Sequence, residues 1–305
     1  MTELRQREHP LEADDGWRLN VLEVEPPTPA RGLVIAGHAM MVDRRTLCRQ
    51  DRPSLVTTLA TAGIRVLVPD LRGHGRSGPR AEEGGVWGFD DLVDDMGCLV
   101  ELGHALADNA PIALLGHSLA GLVALAWLGL HPRATICGNV CLACDVWSME
   151  REHSPLRRLA KRAMLAGTLP IARRYGRLPA RRFGAGSNDE ALPYWLDYAT
   201  WVKNGRWRST DGSNDYGAGL RRIQSPTLHV VSAGDRLYGR PSSALRFSAP
   251  LPQREVWHLG HRTAPALLRG LHPGHTEMVT DPANEPLWTA IAAWLSARFA
   301  AAARP

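Results

Sequence analysis

A chain of 305 residues is long enough to bury a sizeable core, as one large domain with an insertion or as two modest domains. Hydrophobic residues at 44% and charged residues at 22% exclude a disordered or fibrous chain. The net charge of +5 is unevenly spread. Residues 145–225 hold 15 Lys or Arg against 8 Asp or Glu, so one basic insert at +7 sits on a body at −2, and without an accompanying nucleic-acid-binding motif it reads as a solvated helical surface.

The N-terminal stretch Met1–His9 is charged and has no apolar core, so no signal peptide is expected and the protein is placed in the cytoplasm. Before Pro26, polar and apolar residues alternate, as over Trp17–Val24, which suits an antiparallel edge hairpin. Short apolar runs then recur with helical stretches between them: Leu33–Gly37, Ile64–Asp70, Ile112–Gly116, Ile136–Cys144, Thr227–Ser232 and Arg254–Leu259. Near-continuous apolar strands predict a sheet covered on both faces.

Between them, Phe89, Leu92, Val93, Met96, Leu99 and Val100 fall at helical spacing, with Asp90, Asp91, Asp94, Asp95 and Glu101 on the opposite face. Leu119–Leu130 is apolar all round, which predicts a buried helix; it is too short to cross a bilayer, a task needing about 20 residues. No membrane partner is expected. A terminal helix near Ala283–Phe299 places Leu287, Ile291 and Leu295 on one stripe, and a small-residue tail, Ala300–Pro305, follows. The alternation specifies an α/β fold with a mostly parallel, doubly wound sheet.

Residues 145–222 break the pattern. They are rich in Arg, Gly and Trp, carry helical patches at Leu156–Leu165 and Tyr194–Val202, and offer no convincing strand. The expected organisation is a core of residues 1–144 and 223–305 with a helical cap inserted at 145–222.

The chemistry centres on Gly116-His117-Ser118-Leu119-Ala120, between an apolar strand and a buried helix. This is the setting of a nucleophile elbow, whose sharp turn lifts the serine oxygen clear of the backbone and needs small residues two before and two after it. Gly116 supplies one, and Ala120 stands where glycine is usual. A serine hydroxyl needs a base to take its proton and an acid to orient the base. Asp235, just after Thr227–Ser232, is the expected acid, with Asp145 as the fallback. His275, shortly before the terminal helix, is the expected base, and His261, closer to its strand, is the competitor. The oxyanion is expected to bind the backbone N–H groups of Leu119 and Met40, the latter in the loop after Leu33–Gly37. Met41, Trp147, Trp195 and Trp201 are expected to contact substrate, with Trp207 also available to the roof of an apolar pocket.

The string Asp70-Leu-Arg-Gly-His-Gly-Arg-Ser-Gly78 matches neither a dinucleotide nor a Walker pattern and reads as a hydrogen-bonded turn. His38, His74 and His117 lack metal-ligand spacing and are expected to be structural; no metal site is predicted. Cys141-Leu-Ala-Cys144 has no second ligand pair and reads as small core residues at a strand end.

The ordered set Gly-His-Ala-Met, Asp-Leu-Arg-Gly-His-Gly-Arg-Ser-Gly, Gly-His-Ser-Leu-Ala-Gly, Gly-Asp and Gly-His resembles the α/β-hydrolase superfamily across nearly the whole chain. Tyr175-Gly-Arg-Leu-Pro-Ala-Arg-Arg-Phe-Gly is more faintly similar to a poorly characterised group of bacterial α/β hydrolases with a helical cap. Departures are Ala120 at the elbow and His38-Ala39 where many relatives have His-Gly. The resemblance implies a serine hydrolase acting on a hydrophobic ester or lactone through Ser118, His275 and Asp235, with no cofactor. An acyltransferase using the same triad and a non-catalytic binding module are the alternatives. Carbon–carbon bond hydrolysis is compatible with such a triad. Epoxide hydrolysis and dehalogenation are disfavoured, because relatives with those activities carry an Asp at the position of Ser118.

Overall fold

The computed structural model describes residues 4–49 and 51–304. The first three residues of the N-terminal stretch and Pro305 of the tail lie outside them. Gln6–Glu12 (β1) and Arg18–Val24 (β2) form the expected antiparallel hairpin, and β2 pairs antiparallel with Arg65–Asp70 (β4). Leu33–Gly37 (β3), Ile112–His117 (β5), Gly138–Leu142 (β6), Thr227–Ser232 (β9) and Arg254–Leu259 (β10) are parallel to β4 and complete an eight-stranded sheet ordered β1-β2-β4-β3-β5-β6-β9-β10. The fold is an α/β-hydrolase fold with a mostly parallel sheet.

Both faces of the sheet are covered, as the near-continuous apolar strands require. Phe89–Leu106 (α2) and Leu119–Leu130 (α3) cover one face; Leu55–Thr61 (α1) and Glu285–Ala302 (α9) cover the other. Every residue of α3 except Leu130 is buried, because the helix is held between the sheet and α2. The apolar stripe of α2 is buried as its spacing predicts. Asp95 departs from its exposed reading: it is buried and accepts from Arg72 Nε at 2.9 Å and Nη2 at 2.5 Å. Partnering by a planar guanidinium is what makes a carboxylate tolerable there. The terminal helix runs to Ala302, so the first half of the small-residue tail is helical; alanine has the highest helix propensity.

Residues 145–222 leave the sheet after β6 and return before β9. Pro155–Tyr175 (α4) and Leu192–Asn204 (α5) extend the two helical patches, and a one-turn helix, Tyr216–Gly219 (α6), follows. The segment is not strand-free: Arg177–Leu178 (β7) and Glu190–Ala191 (β8) form a two-residue antiparallel pair, too short to leave a periodic signature. Pro241–Phe247 (α7) and Glu277–Thr280 (α8) are short helices of the second half of the core. Among the described residues no helix is long and apolar enough to cross a membrane.

Strand register brings the functional loops together. Gly37 pairs with Gly116, His117 with Leu142, Leu142 with Val230, and Ser232 with Leu259. The C-terminal ends of β3, β5, β6, β9 and β10 therefore line up along one edge, where the loops of an open α/β sheet form its crevice.

Candidate active site

Ser118 occupies the turn between β5 and α3 at φ 52° and ψ −110°. A non-glycine residue there costs about 1–3 kcal/mol, so the surroundings must enforce it. They do so by removing side chains. A Cβ on Gly116 would lie 2.1 Å from the Gly121 nitrogen, and one on Gly121 would lie 2.1 Å from Cys144 Sγ. Ala120 is tolerated because its methyl faces Gly37, where an added Cβ would stand only 2.5 Å from it. The glycine absent from the elbow is thus matched by a glycine on the neighbouring strand.

His275 Nδ1 donates to Asp235 Oδ2 at 2.6 Å, which leaves Nε2 as the nitrogen able to accept a proton. Asp235 also accepts from the backbone N–H of Tyr238 at 3.0 Å and of Gly239 at 2.8 Å. Burial opposes its ionisation, but these bonds and His275 hold its carboxyl below the ordinary value. The loop carrying His275 folds back over β9: Ser232 Oγ donates to Pro273 O at 2.6 Å, and Gly234, lacking a side chain, admits the His272 carbonyl. His117 Nε2 donates to the His275 carbonyl at 2.9 Å. Burial drives the His117 pKa down to about 3, so it serves as a neutral strut.

The competing assignments separate on contact. His261 is exposed; its Nδ1 bonds Thr263 Oγ1 at 2.8 Å and its ring stacks on His258. Asp145 reaches the same cavity as Ser118 but makes no bond to His275, and burial pushes its carboxyl up to about 7.

Ser118, Leu119, Met40, Met41 and His275 line one cavity of about 640 Å³. Among the described residues, the N–H groups of Met40 and Leu119 have no other acceptor. His38 sets this loop: Nδ1 donates to Ala39 O at 2.7 Å, and Nε2 accepts from Leu71 N–H at 3.0 Å. Because C=O and N–H point oppositely across a trans peptide, tying down Ala39 O also aims Met40 N–H. Trp147 and Trp195 join the cavity wall, with Met164, Ile171, Tyr198 and Tyr238 opposite or beside them.

Trp201 does not reach the cavity. Its indole donates to Arg208 O at 2.9 Å and its ring packs edge-on against Phe89, so it is buried between the inserted segment and α2. Trp207 packs beside it against Tyr216 and Phe247. Sequence spacing cannot distinguish the two fates, since all four tryptophans lie in the same segment. Tyr198 and Tyr238 escaped the sequence reading, although Tyr198 lies one helical turn after Trp195 and Tyr238 three residues after Asp235. Glu190 and Asn188, which hold the Met41 backbone, left no sequence signal.

The turn after β4 is hydrogen-bonded throughout. Asp70 accepts from Arg44 and Arg76 N–H at 3.0 Å each, and Ser77 Oγ donates to Asp70 O at 2.6 Å. Cys141 and Cys144 are buried free thiols. Among the described residues no three His, Cys, Asp or Glu side chains converge in a metal-holding arrangement.

Residues 46–249, more than half of the chain, match the family described as serine aminopeptidase, S33. The chain belongs to this family. This S33-family protein has the α/β-hydrolase fold. It is 31% identical over 96 residues to phospholipase YtpA of Bacillus subtilis (strain 168), a match spanning 30% of this chain and 36% of that relative. A thermophilic esterase from Thermogutta terrifontis superposes with a TM-score of 0.60 at 19% identity, covering 96% of this chain and 99% of that one. Est1E from Butyrivibrio proteoclasticus, solved with ferulic acid, superposes with a TM-score of 0.64 at 16% identity, with coverages of 96% and 99%. At these identities both structures speak to the shared fold.

Proposed function

We propose that this S33-family hydrolase cleaves carboxylic esters, with Ser118 as nucleophile, His275 as base and Asp235 as the orienting acid. The observation that carries the reading is the 2.6 Å bond from His275 Nδ1 to Asp235, with His275 and the strained Ser118 facing one apolar cavity. Ser118 Oγ attacks the ester carbonyl as its proton passes to His275 Nε2; the carbonyl oxygen takes the negative charge and is met by the N–H groups of Met40 and Leu119. Collapse breaks the ester C–O bond, and His275 returns the proton to the leaving alkoxide. Water, deprotonated by His275, then releases the acid from the acyl-enzyme and restores Ser118.

Residues 145–222 serve as a cap, since Trp147, Met164, Ile171 and Trp195 come from that segment and roof the cavity. An apolar wall of this size favours a medium-sized hydrophobic ester or lactone. The names of the relatives, a phospholipase and esterases, agree with ester chemistry. A fluorophosphonate probe is expected to label the wild-type protein but not Ser118→Ala, and p-nitrophenyl esters to be turned over only by the former. Folded wild-type protein that neither labels nor turns over, beside a reactive control esterase, would overturn the proposal.

A further inference from the structure

Met41 has φ 61°, in the left-handed region that non-glycine residues avoid. Both of its backbone groups are held from the inserted segment. Its N–H donates to Glu190 Oε1 at 2.6 Å, and its carbonyl accepts from Asn188 N–H at 2.9 Å. Gly186 lies so close that a Cβ there would stand 2.2 Å from the Met41 oxygen.

Glu190 is fully buried, and the same Oε1 accepts from His74 Nε2 at 3.0 Å; its Oε2 has no hydrogen-bond partner among the described residues. His74 Nδ1 donates to Arg72 O at 2.8 Å, and Asn188 Oδ1 accepts from Gly75 N–H at 3.1 Å. A carboxylate taken out of water loses several kcal/mol unless partnered, so stability alone does not explain one spent on a backbone N–H and a histidine. Its location does. The Ala39 carbonyl of the Ala39–Met40 peptide is tied to His38, and Glu190 ties the N–H of the next peptide, Met40–Met41, so the two peptides flanking Met40 are both held.

Building on the ester-hydrolase reading, we infer that Glu190 is a positioning residue: it fixes the Met40–Met41 peptide so that Met40 N–H faces the oxyanion, and it makes that geometry depend on the seating of segment 145–222. Binding of the ground-state substrate, made largely by the apolar wall, is then little affected, whereas stabilisation of the oxyanion is lost when the clamp is broken.

Steady-state kinetics on a p-nitrophenyl ester test this with Glu190→Ala, Glu190→Gln and Gly186→Ala, each verified as folded by a cooperative thermal transition. Glu190→Ala removes the acceptor, and Gly186→Ala pushes on Met41, to which the three nearest atoms all belong, while Glu190, Ser118 and His275 stay unsubstituted. Both are expected to lower kcat by about 10- to 100-fold with KM within about threefold, the scale of a mis-set oxyanion donor. Glu190→Gln keeps an oxygen of the same reach and is expected to recover kcat to within about fivefold of wild type. A folded Gly186→Ala with wild-type kcat overturns the inference even if Glu190→Ala does not fold, and so does a Gln variant no faster than Ala. Wild-type protein that fails to label or turn over sinks the ester-hydrolase reading and this inference with it; active wild type with silent variants sinks the inference alone.

Discussion

Replacing Asp235 with Asn probes the core of the proposed chemistry. The wild-type carboxylate accepts from four donors: His275 Nδ1 at 2.6 Å and Gly239 N–H at 2.8 Å on Oδ2, and Tyr238 N–H at 3.0 Å and Leu237 N–H at 3.4 Å on Oδ1. An amide has one oxygen, so one side must present NH₂ to a donor. With NH₂ at the Oδ2 position, the imidazole can only accept at Nδ1, its proton moves to Nε2, and the base is lost; loss of that tautomer is worth about 10⁴ in kcat. With the oxygen retained there, the tautomer survives, but NH₂ opposes Tyr238 N–H and the imidazolium loses its counter-charge. We therefore expect kcat to fall between about 10²- and 10⁴-fold, or about 3 to 5.5 kcal/mol, with KM changed only a few-fold. Initial rates on a p-nitrophenyl ester at pH 8, on protein with a cooperative melt, measure it. Asp145→Asn in parallel is expected to cost less than about tenfold, because Asp145 makes no bond to His275. An Asp235→Asn enzyme within tenfold of wild type, or a greater loss in Asp145→Asn, would refute the assignment.

Three further outcomes follow from the packing and the charges. Gly37→Ala places a methyl 2.5 Å from the Ala120 methyl and is expected to destabilise by about 1–3 kcal/mol in denaturant titration; adding Ala120→Gly should restore most of it, and additive losses in the double variant would contradict the packing. Trp147→Ala is expected to raise KM most for longer acyl esters, whereas Trp201→Ala, cut from a buried cluster, should cost about 3–5 kcal/mol of stability and leave the KM of folded protein unchanged. His74 faces Glu190, Asp70 and His38. Burial opposes its charge, but the Glu190 carboxylate raises its pKa above the ordinary 6.5. A raised folded-state pKa contributes stability that is fully present below the unfolded value and is lost as pH rises through the folded one. The stability gap between wild type and Glu190→Gln should accordingly be wider at pH 6 than at pH 9, and a gap that widens with pH would contradict the ion pair.

The sheet, the elbow and the order of its partners were legible in the chain because they rest on local rules. Four near-continuous apolar runs, with Thr227–Ser232 and Arg254–Leu259 extending the alternation, forced a sheet covered on both faces, and an all-apolar helix following Ser118 had nowhere to go but the core. Small residues around Ser118 announced the turn, although its closure against Gly37 and Cys144 depended on neighbouring strands. The rest required distances between residues far apart in sequence. Asp235 and His275 are separated by 40 residues, and only the fold-back of the 260–275 loop over β9 brings them together while leaving His261 on the surface. Tryptophan content announced an aromatic inserted segment, but which indoles face the cavity depended on how that segment packs against the core, which no spacing encodes. Glu190 is the clearest case. A single acidic residue in a two-residue strand carries no periodicity and no motif, and its meaning arises only because the tertiary fold buries it against Met41 and His74, over 100 residues away.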